Sequence, residues 1–148
     1  MKTLYGILIC TVFLFCGSSL TLAESEPAGI VKAVSGEVFI VNGETAIQAV
    51  ANMRLRQGDT VKTGTNSSAG LIFEDDTVVA LGSNSEMSID KFLFNPADKE
   101  LSFIARLIRG TFSFITGQIA KLAPKQVSLE TPDATLGVRG TKFLVKID

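Results

Sequence analysis

Hydrophobic residues along this chain come in short alternating runs, split by glycines and turn residues. Val31 and Ala33, then Val38 and Ile40, flank Ser35-Gly36. Asn42-Gly43 follows, the strongest short hairpin signal, and Thr45-Ala46-Ile47 is the expected return strand. Residues 49–55 carry no clear period and read as a loop or one helical turn. Gln57-Gly58-Asp59 turns the chain into a strand that Gly64 ends. Ala69, Leu71 and Phe73 alternate, Asp75-Asp76 turns, residues 77–81 return, and Gly82-Ser83-Asn84-Ser85 turns again. Met87, Ile89, Phe92 and Phe94 continue the inward alternation up to the turn at 95–99. Leu101, Phe103, Ala105 and Leu107 have period two, yet Ile104 and Ile108 lie opposite them. That strand is expected to be partly covered on both faces. Gly110 interrupts it before Phe112 and Phe114. Residues 117–123 are the one helical candidate, with Ile119 and Leu122 three apart and Pro124 as the stop. Val127, Leu129, Phe143, Val145 and Ile147 close the pattern.

About eleven short strands with turn signals near every tenth residue predict an all-β fold, a two-sheet sandwich or a short β-solenoid. No segment of helical period is long enough for α/β alternation. Eight of the ten phenylalanines fall after residue 23 and supply the core mass, Phe92 and Phe94 among them.

The N-terminus stands apart from this pattern. Lys2 precedes an uncharged apolar run from Leu4 to Cys16, and Thr21-Leu22-Ala23 supplies small residues before Glu24. Residues 1–23 read as a signal peptide cleaved after Ala23, because the apolar run of about 13 residues is short of the roughly 20 that span a bilayer. Phe15 before Cys16 does not suit a lipidation site. The expected organisation is therefore a leader at 1–23, a short linker at 24–29 and one all-β domain at 30–148. The expected mature chain has no membrane span and lies in the periplasm or outside the cell.

Cleavage removes both cysteines and the only tyrosine, leaving no Cys, His, Tyr or Trp. The core must then hold without disulfides. Without Lys2, thirteen basic residues face fifteen acidic ones, a net charge of −2. That balance argues against a nucleic-acid partner. The missing imidazole and thiol remove the usual bases, nucleophiles and zinc ligands. A Ser-Lys pair drawn from Lys62 or Lys142 with Ser67 or Ser68 has no supporting signature. Glu74-Asp75-Asp76 lacks the spaced oxygens of a calcium loop and reads as a solvated hairpin turn. These absences predict a protein that is not an enzyme and holds no cofactor or metal.

The last eighteen residues carry the most specific pattern. Thr131-Pro132 sets a turn, and Val138-Arg139-Gly140-Thr141 leads into the closing apolar strand. Several segments upstream complete an ordered set: Val34-Ser35-Gly36-Glu37-Val38, Leu55 to Gly64, Ala69 to Asp75, Leu81 to Ser85, and Leu107-Ile108-Arg109-Gly110-Thr111-Phe112. Together, over roughly residues 30–147, they resemble the FecR-type domain, named for the periplasmic ferric-citrate regulators. The motif positions are Gly36, Gly58, Asp59, Gly64, Gly110, Thr131, Pro132, Val138, Arg139, Gly140 and Thr141. The resemblance implies an all-β periplasmic module that senses or relays a signal by contact with an envelope protein.

In the iron-uptake regulators such a module follows a cytoplasmic sigma-binding segment and one membrane span. Here the leader starts at residue 1, so a stand-alone secreted form is expected. Asp75-Asp76-Thr77 departs from the family's Asp-Gly-Ser/Thr turn. Relatives commonly add a strand or two after the point where this chain stops at Asp148, so the final strand is expected to be an edge open to pairing with a partner. The competing function is a binding module for cell-wall glycan or a small ligand. Arg139 is expected to be buried and paired with a carboxylate, Asp59 first and Glu130 second, or else with several backbone carbonyls at a turn, since a lone buried charge is too costly.

Overall fold

A single strand of sixteen residues organises the molecule. The computed structural model describes residue 19 and residues 25–148. Its strands are β1 (Pro27–Ser35), β2 (Val38–Asn42), β3 (Thr45–Gln48), β4 (Arg54–Arg56), β5 (Thr60–Thr63), β6 (Ser68–Phe73), β7 (Val78–Leu81), β8 (Glu86–Asn95) and β9 (Glu100–Ile115). The helix α1 (Gln118–Leu122) follows, then β10 (Val127–Glu130), β11 (Thr135–Gly137) and β12 (Lys142–Ile147). The reading of residues 1–23 as a leader falls outside the described residues, Ser19 excepted. No described helix is long and apolar enough to cross a membrane.

All twelve strands join one curled sheet, a half-barrel in which two wings share β9. The all-β expectation therefore holds, but the wings are not separate sheets. The first wing orders β3-β2-β5-β8 onto the first half of β9, with β10 and β11 on the other flank. The second orders β4-β1-β6-β7 onto the second half, with β12 on the other flank. Gly82 N–H donates to the Thr111 carbonyl, and the Thr111 N–H donates to the Ser85 hydroxyl. The end of β7 and the start of β8 thus lie on one flank of β9. β10 and β12 share the opposite flank, where they cover Phe103–Arg106 and Gly110–Ile115.

The change of wing occurs at Gly110, whose φ is +104°. A Cβ there would collide with the Ser85 side chain and backbone, so both conformation and space demand glycine. One core fills the concave side and draws on both wings: Val31, Leu71, Val79, Phe112 and Phe114 from the second, Val38, Val61, Met87, Phe103 and Leu107 from the first. Phe73, Phe92 and Phe103 cluster with ring centroids 4.8 to 5.7 Å apart. Phe92 and Phe94 pack against this core from its margin.

Two segments differ from their sequence readings. β1 starts at Pro27, inside the expected linker, because Ala28 is buried and Gly29 lies against the Ile72–Phe73 backbone. Residues 49–55 form neither a plain loop nor a helical turn throughout, since Arg54–Arg56 is an edge strand on β1.

The acidic turn between β6 and β7 is the main correction. Asp75 is fully buried, not solvated. Its carboxylate accepts bonds from Thr77 N–H (3.1 Å), Thr77 hydroxyl (2.9 Å) and Ile119 N–H (3.2 Å). Its carbonyl accepts from Gln118 N–H at 2.7 Å, and the Thr77 hydroxyl accepts from Gly117 N–H at 3.1 Å. Three successive N–H groups at the start of α1 are therefore satisfied by the turn. A helix begins with such unpaired donors, and five residues are too few to persist alone. A Cβ on Gly117 would strike the Asp75–Thr77 backbone. Asp76 holds φ +68°, the conformation that glycine supplies in the usual Asp-Gly turn.

Asp75→Ala is expected to cost roughly 3–5 kcal/mol in urea melts, because it strands several buried donors at about 1–3 kcal/mol each. Asp76→Gly relieves a left-handed residue worth roughly 1–2 kcal/mol. It also gives up an exposed bond from Gln118, so it should match or exceed the native melting point. An Asp75→Ala protein as stable as the native one would remove the turn from its place as the helix cap.

Candidate functional site

The motif residues do not converge on one site. Gly36, Gly64 and Gly110 gather at one end of the half-barrel around buried hydroxyls. Ser67 accepts from Glu37 N–H and donates to the Thr65 carbonyl. Gly64 N–H donates to the Glu37 carbonyl. Thr63 donates to the Gly82 carbonyl and accepts from Ser85 N–H. Gly36, at φ +74°, closes the β1–β2 turn against Ser67. The polar atoms of these groups satisfy one another.

Gly58 and Asp59 mark a second knot. Asp59 is buried, and its carboxylate accepts from the Asn42 amide and from Arg56 N–H, each at 2.8 Å. Gly58 N–H donates to the Ile89 carbonyl, and Ile89 N–H to the Asp59 carbonyl. The β2–β3 hairpin, the β4–β5 turn and β8 are thereby tied together.

Thr131 to Thr141 forms the third group and lies beside an open cleft. The Thr131 hydroxyl accepts from Ala134 N–H (3.0 Å), and Thr131 N–H donates to the Ala134 carbonyl (2.8 Å), which closes the Thr131-Pro132 turn between β10 and β11. Val138 is buried. Gly140, at φ +89°, and Thr141 offer carbonyls to Thr116, whose N–H donates to Thr141 (2.8 Å) and whose hydroxyl donates to Gly140 (3.0 Å). Between β11 and β12 the two wings splay apart. A groove of about 900 Å³ opens there, bounded by Ala120, Val127, Leu136, Val138 and Arg139. A smaller one of about 270 Å³ adjoins it, between Leu129, Leu136, Phe143 and Val145.

Arg139 is exposed at the rim of this groove, and the expected buried pair does not form. Asp59 is engaged elsewhere, and Glu130 lies 3.6 Å from Arg106. The burial falls on the neighbouring Val138, which alternation alone would have allowed. The buried charges among the described residues include Asp75, which the sequence reading places in solvent. Its signal was present: an Asp-x-Thr pattern favours a turn in which the aspartate bonds its own backbone two residues on.

On β12, Phe143 stacks on Phe114 at 5.2 Å, but Phe143, Val145 and Ile147 are only half-buried. Among the described strands β12 has one neighbour, β9. The outer margin of β12 and the groove beside it form the candidate site.

Two expectations test these placements. Arg139→Lys and Arg139→Ala should both melt within about 0.5 kcal/mol of the native protein, as exposed substitutions do. A loss near 3 kcal/mol from either would reveal a buried partner. Gly110→Ala and Gly140→Ala should separate clearly. Both incur positive-φ strain of roughly 1–3 kcal/mol, but only Gly110 adds an overlap worth about as much again. Equal melting of the two would refute the close packing at Ser85.

The family comparison agrees with this geometry. The model described as FecR protein matches residues 59–148, which spans β5 to β12 and includes the Thr131–Thr141 group. No curated protein and no solved structure matches the chain. The matched stretch covers more than half of the sequence, and the chain belongs to the FecR family.

Proposed function

We propose that this protein is a non-enzymatic signalling module of the periplasm, which relays or scaffolds an envelope signal by binding another protein. Membership of the FecR family supports a regulatory role. The observation that carries the reading is the margin of β12. A strand with a free edge offers backbone donors and acceptors, and alternate side chains give register to an added strand. Here that edge borders a groove with apolar walls, and its inward residues Phe143, Val145 and Ile147 are only half-covered. An added strand would extend the second wing beyond β12. The larger groove is lined by aliphatic and small residues with Lys125 and Arg139 and without an aromatic ring, a lining better suited to a peptide than to stacking sugars. In this reading the mature chain starts at Glu24, after export.

A photo-crosslinking residue placed at position 139 or 145, in cells expressing the full chain, is the direct test. A protein adduct at either position supports the reading, and N-terminal sequencing of the recovered chain should begin at Glu24. Retention on purified peptidoglycan with no protein adduct would overturn it in favour of a glycan-binding module.

A further inference from the structure

The outward face of the second wing is apolar where a solvated sheet face should be polar. Strand register places one residue from each of six strands in a row: Arg54 on β4, Ile30 on β1, Ile72 on β6, Val78 on β7, Ile115 on β9 and Lys142 on β12. Each of the first five flanks a buried residue of its own strand and Lys142 flanks the half-buried Phe143, so the row points away from the core. Ile30, Ile72 and Val78 are half-buried by their neighbours in the row and are not among the residues packed against the core. Ile115 is 43% exposed. The next row runs Ala33, Gly70, Ala80, Ser113 and Leu144, the last 74% exposed. An antiparallel sheet with one wet face normally alternates apolar-in with polar-out. The outward face of this wing is mostly apolar, with Lys32 exposed at the irregularity of β1 between Val31 and Ala33.

The first wing shows the contrast within the same protein. Its outward face is laced with ion pairs: Lys62–Glu86 (3.3 Å), Arg109–Glu86 (3.5 Å), Arg106–Asp90 (3.0 Å) and Arg106–Glu130 (3.6 Å). The first wing also exposes Phe39, Ile47 and Leu93, so the two wings differ in these ion pairs and not in whether apolar residues reach the surface.

We propose that the outward face of the second wing is a docking surface for a protein partner that is apolar at its centre and acidic at its borders. The inference rests on the reading of the chain as a protein-contact module and adds a second surface to it. Charge selects the occupant. The row begins and ends on a cation, Arg54 and Lys142, about 24 Å apart across five strand spacings of roughly 4.8 Å. Lys146 lies in the following row on β12, opposite Thr111. Glu74 stands beyond Ile72 at the β6–β7 turn, and Asp148 reaches Lys146 at 3.5 Å, which leaves the lateral borders basic. A second copy laid on this face would bring like-charged borders together, and like charges at an interface oppose association. A partner with carboxylates at those borders meets them with opposite charge. A contiguous exposed apolar surface with a polar rim is the usual mark of such an interface. The absence of Trp and Tyr beyond residue 23 disfavours a bilayer, whose interface is anchored by those residues.

The test places a photo-crosslinking residue singly at Ala80 and Ile115 on the face, at Lys62 on the charged wing and at Arg139 in the groove, in the full chain in cells. The expected result is an adduct at Ala80 and Ile115, none at Lys62, and a contact peptide in which Asp or Glu flanks an apolar stretch. The double substitution Lys142→Glu and Lys146→Glu, both on an exposed rim, should lower adduct yield at least tenfold with an unchanged urea melt. Adducts to another copy of this chain, flotation of the purified protein with phosphatidylglycerol vesicles, or a contact peptide without carboxylates would each overturn the proposal. An adduct at Arg139 with none at Ala80 and Ile115 overturns the face alone and leaves the protein-contact reading intact. No adduct at any position removes both.

Discussion

A buried carboxylate holds the two halves of this fold in relation. Removing Asp75 from water is costly, and the cost is offset only because its oxygens accept from Thr77 and from the first turn of α1. The consequence travels along the chain. β10 pairs parallel with β9, the strand that precedes it, so the chain must travel back along β9 before β10 can start. Parallel neighbours require a crossover, and α1 is that crossover. Its five residues cannot supply their own stability, so the turn at Asp75 supplies the anchor and Ile119, fully buried, supplies the packing. Without that anchor β10 has no route back, and the Thr131–Thr141 segment has no strand to follow.

The bend of β9 does the complementary work. Two half-strands joined by Gly110 can belong to wings of different orientation while keeping continuous pairing with β7 and β8 on one flank. The opposite flank cannot follow so smoothly. β10 reaches Arg106 and β12 begins its coverage at Gly110, and between them the chain crosses through Val138 to Thr141. The groove is a geometric result of that splay. It is walled by Leu129 and Val138, which belong to the core, and by Leu136 and Phe143, which pack against it.

Period-two alternation made most of the strands legible. The hairpin at Asn42-Gly43, the short helix ended by Pro124 and the break at Gly110 all rest on backbone preferences that act locally. What local preference cannot show is which partner a polar residue finds across the fold. Asp75 meets Ile119, forty-four positions away, and Asp59 meets Asn42, seventeen away. Arg139 was misplaced for the same reason: the rule that a buried charge needs a partner is sound, but the sequence does not say which charge is buried. The start of β1 was missed because Pro27 reads as a linker residue. Its position at the beginning of a strand is one of the few that a sheet allows proline.

The division between frame and surface follows from where polar groups are satisfied. The motif glycines, serines, threonines and aspartates meet one another at the ends of the half-barrel, and their hydrogen-bonding capacity is consumed there. A family signature built on such residues identifies the frame and leaves function to be argued from other groups. The groups left over are those the signature does not name: the half-covered side chains of β12, and the row from Ile30 to Ile115 that faces outward without a charge. A strand buried on both faces reads as nearly continuous apolar sequence, as Ala69 to Phe73 and Val78 to Leu81 do. The same pattern arises whether the second cover is part of the chain or belongs to another molecule. Only the three-dimensional register, which leaves Ile115 and Leu144 exposed on that face, separates the two cases, and it is this difference that turns an ordinary hydrophobic run into an argument for a partner.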